Sequence, residues 1–154
     1  MFQTSWTFGK ENFARVRELR RLCFVEEQGI AEEEEFDAFD GVSAHLLVED
    51  EHGASIAAGR IFPDGEVTRI GRVCVAPGFR SERYDDLVLR LLLYKAENLM
   101  GASIVTCPRE AEAPFYERFG FRREGEAFFA RGATRLRLAV PREGVVWTSE
   151  CKGG

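Results

Sequence analysis

The sequence predicts an α+β fold in which a mixed, mostly antiparallel sheet carries helices on both faces. Two observations lead to this prediction. Three segments rich in apolar and β-branched residues follow one another through short turns, which is typical of an antiparallel meander. A longer helical segment then separates the third strand from a fourth, and a helix between two strands connects neighbours that run parallel.

The size of the chain favours one domain. With 154 residues and 45% hydrophobic side chains, it is long enough to bury a full core. We predict a single domain over residues 1–140 and a tail over residues 141–154. The tail residues that would either add an edge strand or pack on the body are Val145, Val146 and Trp147.

The N-terminal part predicts a strand followed by a helix. Residues 2–8 alternate between apolar and polar side chains, as a strand does. A helix over Lys10–Gln28 follows, and Gly29 ends it. The apolar residues of this helix keep the three-and-four spacing of one face, and they are Phe13, Val16, Leu19, Leu22 and Cys23.

An acidic run, Glu32–Glu35, comes next. Four consecutive carboxylates predict a solvated face or loop, because an unpaired buried charge is costly. Phe36 and Phe39 follow the run, and we expect them to pack this loop onto the body of the protein.

Three further strands surround two turns. Asp50–Gly53 and Pro63-Asp64-Gly65 contain the residues that tight turns require. The strands on either side of these turns are Ser43–Glu49, Ala54–Phe62 and Glu66–Ala76.

Residues 70–96 combine the end of the last of these strands, a Pro-Gly turn and a helix. We predict the helix over Ser81–Met100, with Gly101 as its stop. Ser81 would cap the helix, and acidic residues in the first turn would complement its dipole. A strand that leads into a helix N-terminus is also a place where phosphate binds, because the first N–H groups are free.

The C-terminal third predicts one short helix and three strands, with a hairpin turn between the last two strands. In chain order these segments are a buried strand Ser103–Cys107, a helix Ala111–Phe119 ended by Gly120, a strand Phe121–Ala130, the turn Arg131-Gly132-Ala133 and a strand Thr134–Val140.

Composition excludes several classes of function. A net charge of −5 and a pI of about 5.2 argue against a nucleic-acid binder, which would show a basic stripe. No secretory signal and no apolar run of membrane-spanning length are visible, so we expect a cytoplasmic protein without a membrane partner. The cysteines lack metal-ligand spacing, which predicts reduced thiols and no metal site; they are Cys23, Cys74, Cys107 and Cys151.

Four short words occur in order along the chain. They are RRLCFVEEQGI at residues 20–30, EFDAFD at 35–40 with HLL at 45–47, GRVCV at 71–75 with Pro77 and Arg80, and PFYERFGF at 114–121. The first is similar to R-x-x-V-F-V-x-E-Q-G-I and the last to P-F-Y-E-K-x-G-F. Together with the strand order, the four words resemble the GNAT superfamily of acyl-CoA N-acyltransferases.

The resemblance implies a chemistry. An amine of a small-molecule or peptide acceptor would attack the thioester of acetyl-CoA directly, and good alignment of the two reactants contributes ~7–11 kcal/mol. A splay of the sheet after Val75 would free backbone groups for the pantetheine arm. The residues implied in cofactor binding are Cys74, Val75, Arg80, Ser81, Glu82, Arg83, Tyr84 and Asp85.

The resemblance also implies two catalytic residues. Tyr116 matches the tyrosine that protonates the departing thiolate, and a phenol keeps its proton at neutral pH. Glu27 lies where the acceptor amine should enter and is the candidate general base, a role that a water could also fill. Cys74 is interpreted as a core residue of its strand rather than a nucleophile, because no histidine that could activate it is near it in sequence.

One loop departs from the family pattern R/Q-x-x-G-x-G/A. Arg83 and Asp85 stand where glycine and glycine or alanine are expected, so a side chain and a negative charge approach the phosphate site. Two alternatives follow: an acetyltransferase with altered cofactor affinity, or a degenerate GNAT-like binding module. A third, ranked last because this chain is shorter than expected for them, is a protein related to the acyl-homoserine-lactone synthases, which the words FVEEQG and EFDAFD also resemble. The acidic run weakly favours a cationic acceptor, and the C-terminal strands offer an edge for a homodimer.

Overall fold

The computed structural model describes residues 1–99 and 101–147. The described residues form nine strands: β1 (Phe2–Phe8), β2 (Ala44–Asp50), β3 (Ser55–Asp64), β4 (Val67–Val75), β5 (Ser103–Thr106), β6 (Arg122–Arg123), β7 (Phe128–Ala130), β8 (Ala133–Arg135) and β9 (Leu138–Pro141). Seven of them make one sheet in the order β1-β2-β3-β4-β5-β9-β6, and β7 and β8 pair separately. The strands β1 to β4 are antiparallel, and β5 runs parallel to β4.

The α-helices are α1 (Ala14–Arg20), α2 (Glu32–Glu35), α3 (Tyr84–Ala96) and α4 (Ala113–Glu117). Two separate apolar cores form, one containing residues of α3 and the other residues of α1. Adjacent residues of β2 belong to different cores, Leu46 and Val48 to one and Leu47 to the other, as the two-residue period of a strand requires. The predicted mixed sheet with helices on both faces is therefore confirmed. No helix in the described ranges has both the length and the apolar character needed to cross a bilayer.

The sheet splits between β4 and β5. These strands pair only from Val67↔Ser103 to Arg69↔Val105, so the splay begins after Arg69 and not after Val75 as predicted. A bulge accompanies the split, because the β3–β4 register shifts between Ala58 and Arg60 and Arg72 takes a φ of 54°. The second half of β4 is consequently left without a strand on its β5 side.

The first helix begins later than predicted and changes type. After α1, residues Arg21–Glu26 form a π-helical turn, and Gly29 at φ 74° ends the segment as expected. The wider turn alters which side chains face inward. Cys23 and Phe24 are buried, whereas Leu22, predicted for the buried face, is 36% exposed.

The structure of the acidic run corrects the prediction that it forms a solvated face or loop. Glu32–Glu35 is a short helix, and its last residue, Glu35, has no exposed surface. Phe36 packs against the α1 core and Phe39 stacks on Phe62 at 4.5 Å between ring centroids, so the expected packing of this loop is confirmed.

The second helix starts three residues after the predicted cap. Residues Pro77–Glu82 form a 3₁₀ turn, and α3 begins at Tyr84, so Ser81 does not cap it. The N-cap is Arg83, whose φ of 61° is left-handed and whose side chain makes no capping hydrogen bond. Arg83 therefore adopts the conformation that glycine would supply in this loop. The described helix ends at Ala96, and the predicted end at Met100 lies outside the described residues.

Helix α3 packs closely on β3 because Gly59 has no side chain. A Cβ atom at this position would lie 2.8 Å from Cγ1 of Val88 and 3.0 Å from Cδ1 of Leu92. We predict that Gly59→Ala lowers the free energy of unfolding by about 1–3 kcal/mol through overpacking. Urea denaturation measures this loss. Gly41→Ala is the control, since a Cβ atom there meets nothing within 4 Å; equal losses in the two variants would contradict the close packing.

The two long C-terminal strands are each broken in two. Gly125 at φ 77° interrupts the first, so β6 stays in the main sheet while β7 leaves it and pairs with β8. The predicted turn is present at Arg131 and Gly132, which both have positive φ. The predicted helix Ala111–Phe119 is shorter, being α4 after a 3₁₀ turn.

The tail packs on the body as far as it is described. The amide of Val146 donates to the carbonyl of Phe119, and Trp147 stacks on Tyr94 with ring centroids 4.8 Å apart. Of the two alternatives for these residues, packing on the body is confirmed. Residues 148–154, with Cys151, lie outside the described ranges.

Candidate active site

Two cavities meet at the split between β4 and β5, and we name each by the role that the resemblance implies for it. The cofactor-side cavity, about 490 Å³, lies between the π-helical turn, the end of β4 and the start of α3. The acceptor-side cavity, about 220 Å³, lies between the middle of β4, the segment after β5 and the β7–β8 ribbon. Five residues line both cavities: Phe24, Gln28, Val73, Arg109 and Glu112. The two cavities thus form one cleft that crosses the sheet where β4 has no strand on its β5 side.

The predicted cofactor residues divide into two groups. Residues that line the cofactor-side cavity are Cys74, Val75, Arg80, Tyr84 and Asp85. The other three, Ser81, Glu82 and Arg83, are exposed and do not line it. The structure therefore brings together the strand end, Arg80 of the turn and the first residues of α3, but not the last residues of the turn.

Two predicted site residues bind each other. The Arg80 guanidinium lies 2.5 Å from Oε1 of Glu27, and its Nε donates to the carbonyl of Val75 at 2.9 Å. This ion pair connects the end of the π-helical turn to the start of the phosphate loop. The side chain that should reach a phosphate is already paired with the candidate base.

A pair of thiols lies beneath this ion pair. Cys23 hydrogen-bonds with Cys74 and accepts from Arg80 at 3.8 Å, and these interactions outweigh burial and lower the pKa of the Cys23 thiol. The hydrogen bond with Cys23 and burial raise the pKa of Cys74. Because Cys74 belongs to the α1 core and stays protonated, its interpretation as a core residue agrees with the structure.

The acids of the phosphate loop do not act alike. Asp86 turns inward and accepts hydrogen bonds from Arg90 at 2.7 Å and Arg118 at 2.9 Å. Burial opposes ionisation of Asp86, but these two arginines outweigh it and lower its pKa. Asp85 remains exposed and lines the cleft. Of these two charges, only that of Asp85 therefore faces the predicted phosphate site.

Tyr116 lies in the acceptor-side cavity and is buried. Its hydroxyl hydrogen-bonds with the side chain of Thr106, at the end of β5. Burial, assisted by the negative charge of Glu112, raises the pKa of Tyr116 above its usual value. The hydroxyl is therefore protonated at neutral pH and can donate a hydrogen bond.

The acceptor-side cavity is rich in arginine, a feature that the sequence did not reveal. Acidic residues in its wall are Glu34, Asp37 and Glu112, and basic residues are Arg60, Arg69, Arg72, Arg109, Arg131 and Arg135. These arginines come from β3, β4, the segment after β5, and the turn and strand of the β7–β8 ribbon. No spacing in the sequence relates them, because the fold alone brings these segments together.

Behind the cavity wall lies a buried ion-pair cluster. Glu35 accepts from Arg20 at 2.9 Å and Arg131 at 2.5 Å, and lies 3.1 Å from Arg72. Asp40 accepts from Arg20 at 2.7 Å and Arg60 at 2.8 Å. This cluster fixes three of the arginines that line the cavity.

Comparison with known proteins identifies relatives in sequence. The family description "Acetyltransferase (GNAT) family" matches residues 13–121. The chain is 32% identical over 125 residues to UPF0039 protein C11D3.02c of Schizosaccharomyces pombe. The aligned region covers 79% of this chain and 83% of that protein. It is 27% identical over 104 residues to the uncharacterized N-acetyltransferase YjcF of Bacillus subtilis, covering 68% and 74% of the two chains.

The fold is also similar to a solved structure. An acyl-CoA N-acyltransferase from Pseudomonas aeruginosa superimposes with a TM-score of 0.80 at 19% identity, over 90% of this chain and 99% of that chain. At this identity the likeness concerns the fold.

Proposed function

Because the chain belongs to the acetyltransferase (GNAT) family, we propose that it transfers an acetyl group from acetyl-CoA to an amine of a small-molecule or peptide acceptor. The observation that carries this proposal is the split sheet. The half of β4 that has no strand on its β5 side lies beside a cleft, which leads from a helix N-terminus whose N-cap side chain makes no hydrogen bond to a buried, protonated tyrosine. That arrangement can align a thioester with an amine.

The residues of the cleft suit the two ends of acetyl-CoA differently. Backbone groups of Val73 and Val75 lie beyond the last β4–β5 residue pair, so the strand edge fits an extended amide chain. At the phosphate end, α3 has no side-chain cap, and Arg83 has the left-handed φ that this loop requires. Asp85 opposes phosphate binding there, since its carboxylate lines the same cavity.

We assign two residues to the transfer itself. Acetyl-CoA supplies the reactive thioester carbonyl. Tyr116 would donate a hydrogen bond to the departing sulfur, for which its protonated hydroxyl is suited. Glu27 would accept the proton of the attacking amine, directly or through water, since it lines the cofactor-side cavity next to β4.

A second candidate function is a binding module that does not catalyse. The Arg80–Glu27 ion pair and Asp85 favour it, because the first engages a phosphate-binding side chain and the second repels phosphate.

For either function we propose a cytoplasmic protein with no nucleic-acid or membrane partner; the free thiols of Cys23, Cys74 and Cys107 support this location. A homodimer through an edge of the sheet stays a prediction.

Calorimetric titration with acetyl-CoA tests the proposal. We expect a Kd between about 1 μM and 1 mM, the range in which most enzymes bind their substrates. Release of the CoA thiol in the presence of a panel of amines then measures transfer. Absence of binding at millimolar acetyl-CoA would exclude the enzyme, and binding without thiol release for any amine would favour the second candidate.

We predict that Asp85→Asn tightens the binding of acetyl-CoA about threefold to tenfold. The substitution removes one negative charge near the phosphate site and leaves the backbone unchanged, and the effect should shrink as salt screens the interaction. Titration at two ionic strengths measures it. Glu82→Gln is the control, because Glu82 is exposed and outside the cavity. Equal tightening in both variants would mean that long-range charge, and not the site, is responsible.

We predict that Glu27→Gln lowers kcat about tenfold if water takes over as proton acceptor. The loss should be smaller at high pH, where the acceptor amine loses its proton without help. The same variant frees Arg80 from its ion pair, so acetyl-CoA should bind at least as tightly. Measuring kcat against pH together with the Kd separates the two effects. If the variant and the parent had the same kcat at every pH, Glu27 would have no part in the reaction.

A further inference from the structure

The acceptor-side cavity contains a charge that its own wall does not balance, and we infer that it binds the anionic group of the acceptor. The acceptor would be a small amine that also bears a carboxylate or a phosphate. This inference rests on the proposed acetyl transfer and specifies its substrate class. It is carried by Arg135, which neither the sequence motifs nor the proposed reaction uses.

Arg135 is a buried cation without an anionic partner. Its residue surface is only 5% exposed, and within the described part of the chain no carboxylate lies at ion-pair distance from it. Its guanidinium donates to backbone carbonyls alone: Ala130 at 2.8 Å, Cys107 at 3.2 Å and Arg131 at 3.3 Å. Carbonyl groups accept hydrogen bonds but carry no formal charge. A buried charge left this way is destabilising unless a ligand completes it.

The surroundings add to this positive charge. Burial and the neighbouring charge of Arg131 together lower the pKa of Arg135 to about 10. Arg72 behaves alike, with a pKa lowered to about 9 by burial and by Arg60 and Arg131. In both cases burial is the largest cause and neighbouring arginines add to it, while Glu112 opposes the shift of Arg135 and Glu35 that of Arg72, so an anion in the cavity would relieve the repulsion.

Unused donors point to the same conclusion. The Nε atoms of Arg60 and Arg131 are buried, and neither has a hydrogen-bond partner among the described residues. Both residues line the cavity together with Arg135. Arginine side chains suit the oxygen atoms of carboxylate and phosphate groups, so a wall with this many arginines is chemically matched to either. The expectation of a cationic acceptor from the acidic run weakens accordingly, because Glu35 is buried among arginines.

Size and position restrict the acceptor further. A cavity of about 220 Å³ suits a molecule with the size of an amino acid, and aromatic rings of Phe24, Phe62 and Phe128 form part of its wall. Tyr116 and Arg135 line the same cavity. The anion site and the reaction site are therefore close enough for one small molecule to occupy both.

Matched pairs of amines test the inference. The pairs are phenylalanine with phenylalaninamide, and phosphoethanolamine with ethanolamine, compared by kcat/KM for CoA release at saturating acetyl-CoA. We expect the acidic member of at least one pair to be preferred at least tenfold. The pair that shows the preference distinguishes carboxylate from phosphate. In Arg135→Gln the preference should fall toward one, whereas Arg137→Gln, which removes an exposed arginine paired with Glu124, should keep it.

A binding measurement keeps the result independent of turnover. N-acetylphenylalanine and its amide, and N-acetyl phosphoethanolamine, are titrated by calorimetry with and without CoA. At least one of the acidic compounds should bind at least tenfold more tightly than the amide to the parent protein, but not to Arg135→Gln. Equal binding, or a preference that Arg135→Gln retains, overturns the inference. Anion binding without any CoA binding would instead sustain the anion site and reject the proposed transfer.

Discussion

Tyr116→Phe should lower kcat about 10²-fold while the Kd for acetyl-CoA stays within twofold of the parent value. Removing the hydroxyl takes away the proposed hydrogen-bond donor to the departing sulfur, and such donors contribute about 10²- to 10⁴-fold. The lower end is expected because burial raises the pKa of Tyr116 and makes its hydroxyl a weak acid. Steady-state thiol release and calorimetric titration measure the two quantities.

The controls for this variant address stability and position. Tyr116→Phe also removes the hydrogen bond with Thr106, which should lower the free energy of unfolding by about 1 kcal/mol. A urea titration establishes that the variant remains folded under the assay conditions. Tyr94→Phe changes an exposed tyrosine on α3 and should leave kcat unaltered. If Tyr116→Phe turned over at the parent rate, the departing sulfur would need no donor from this side chain.

Glu35→Gln should lower the free energy of unfolding by about 3–5 kcal/mol, the usual loss when one partner of a buried ion pair is removed. The amide is nearly the same size as the carboxylate, so no cavity forms. It leaves Arg20, Arg72 and Arg131 without the charge that they share. Urea denaturation at neutral pH measures the loss.

The acidic run supplies its own control for this substitution. Glu32 belongs to the same short helix, is about half-exposed, and pairs with Arg17 and Arg21 at the surface. Glu32→Gln should leave the free energy of unfolding almost unchanged, because exposed ion pairs contribute little. Similar values for the two variants would mean that the buried cluster does not stabilise the fold.

The elements that follow local rules were predictable from the sequence. The first strand was predicted over its observed range, and the helix stop at Gly29 was correct because positive φ favours glycine there. Predictions that relied on a local pattern alone failed where packing intervened. Ser81 has the chemistry of a cap, but the chain forms a 3₁₀ turn and places Arg83 at the helix start. Leu22 has the right spacing for the core, but a π-helical turn moves it outward.

The candidate site shows the same division. Tyr116, Glu27 and the loop from Arg80 to Asp85 were identified from short words in the sequence, and most of them line the cleft. That Arg80 and Glu27 pair with each other was not predictable, because 53 residues separate them. Arg135 had no signal at all, since its significance depends on which groups surround it.

The sequence by itself determined most of the order of strands and helices, the family and the segment proposed to bind phosphate. It did so because turn chemistry, hydrophobic periodicity and short motifs are properties of neighbouring residues. Only the tertiary structure decided which charges are buried, which are paired and which remain for a ligand. Glu35 meets Arg131 across 96 residues of chain, and Arg135 meets no carboxylate in the described residues. Electrostatic balance is a sum over atoms close in space, and the sequence does not state those distances.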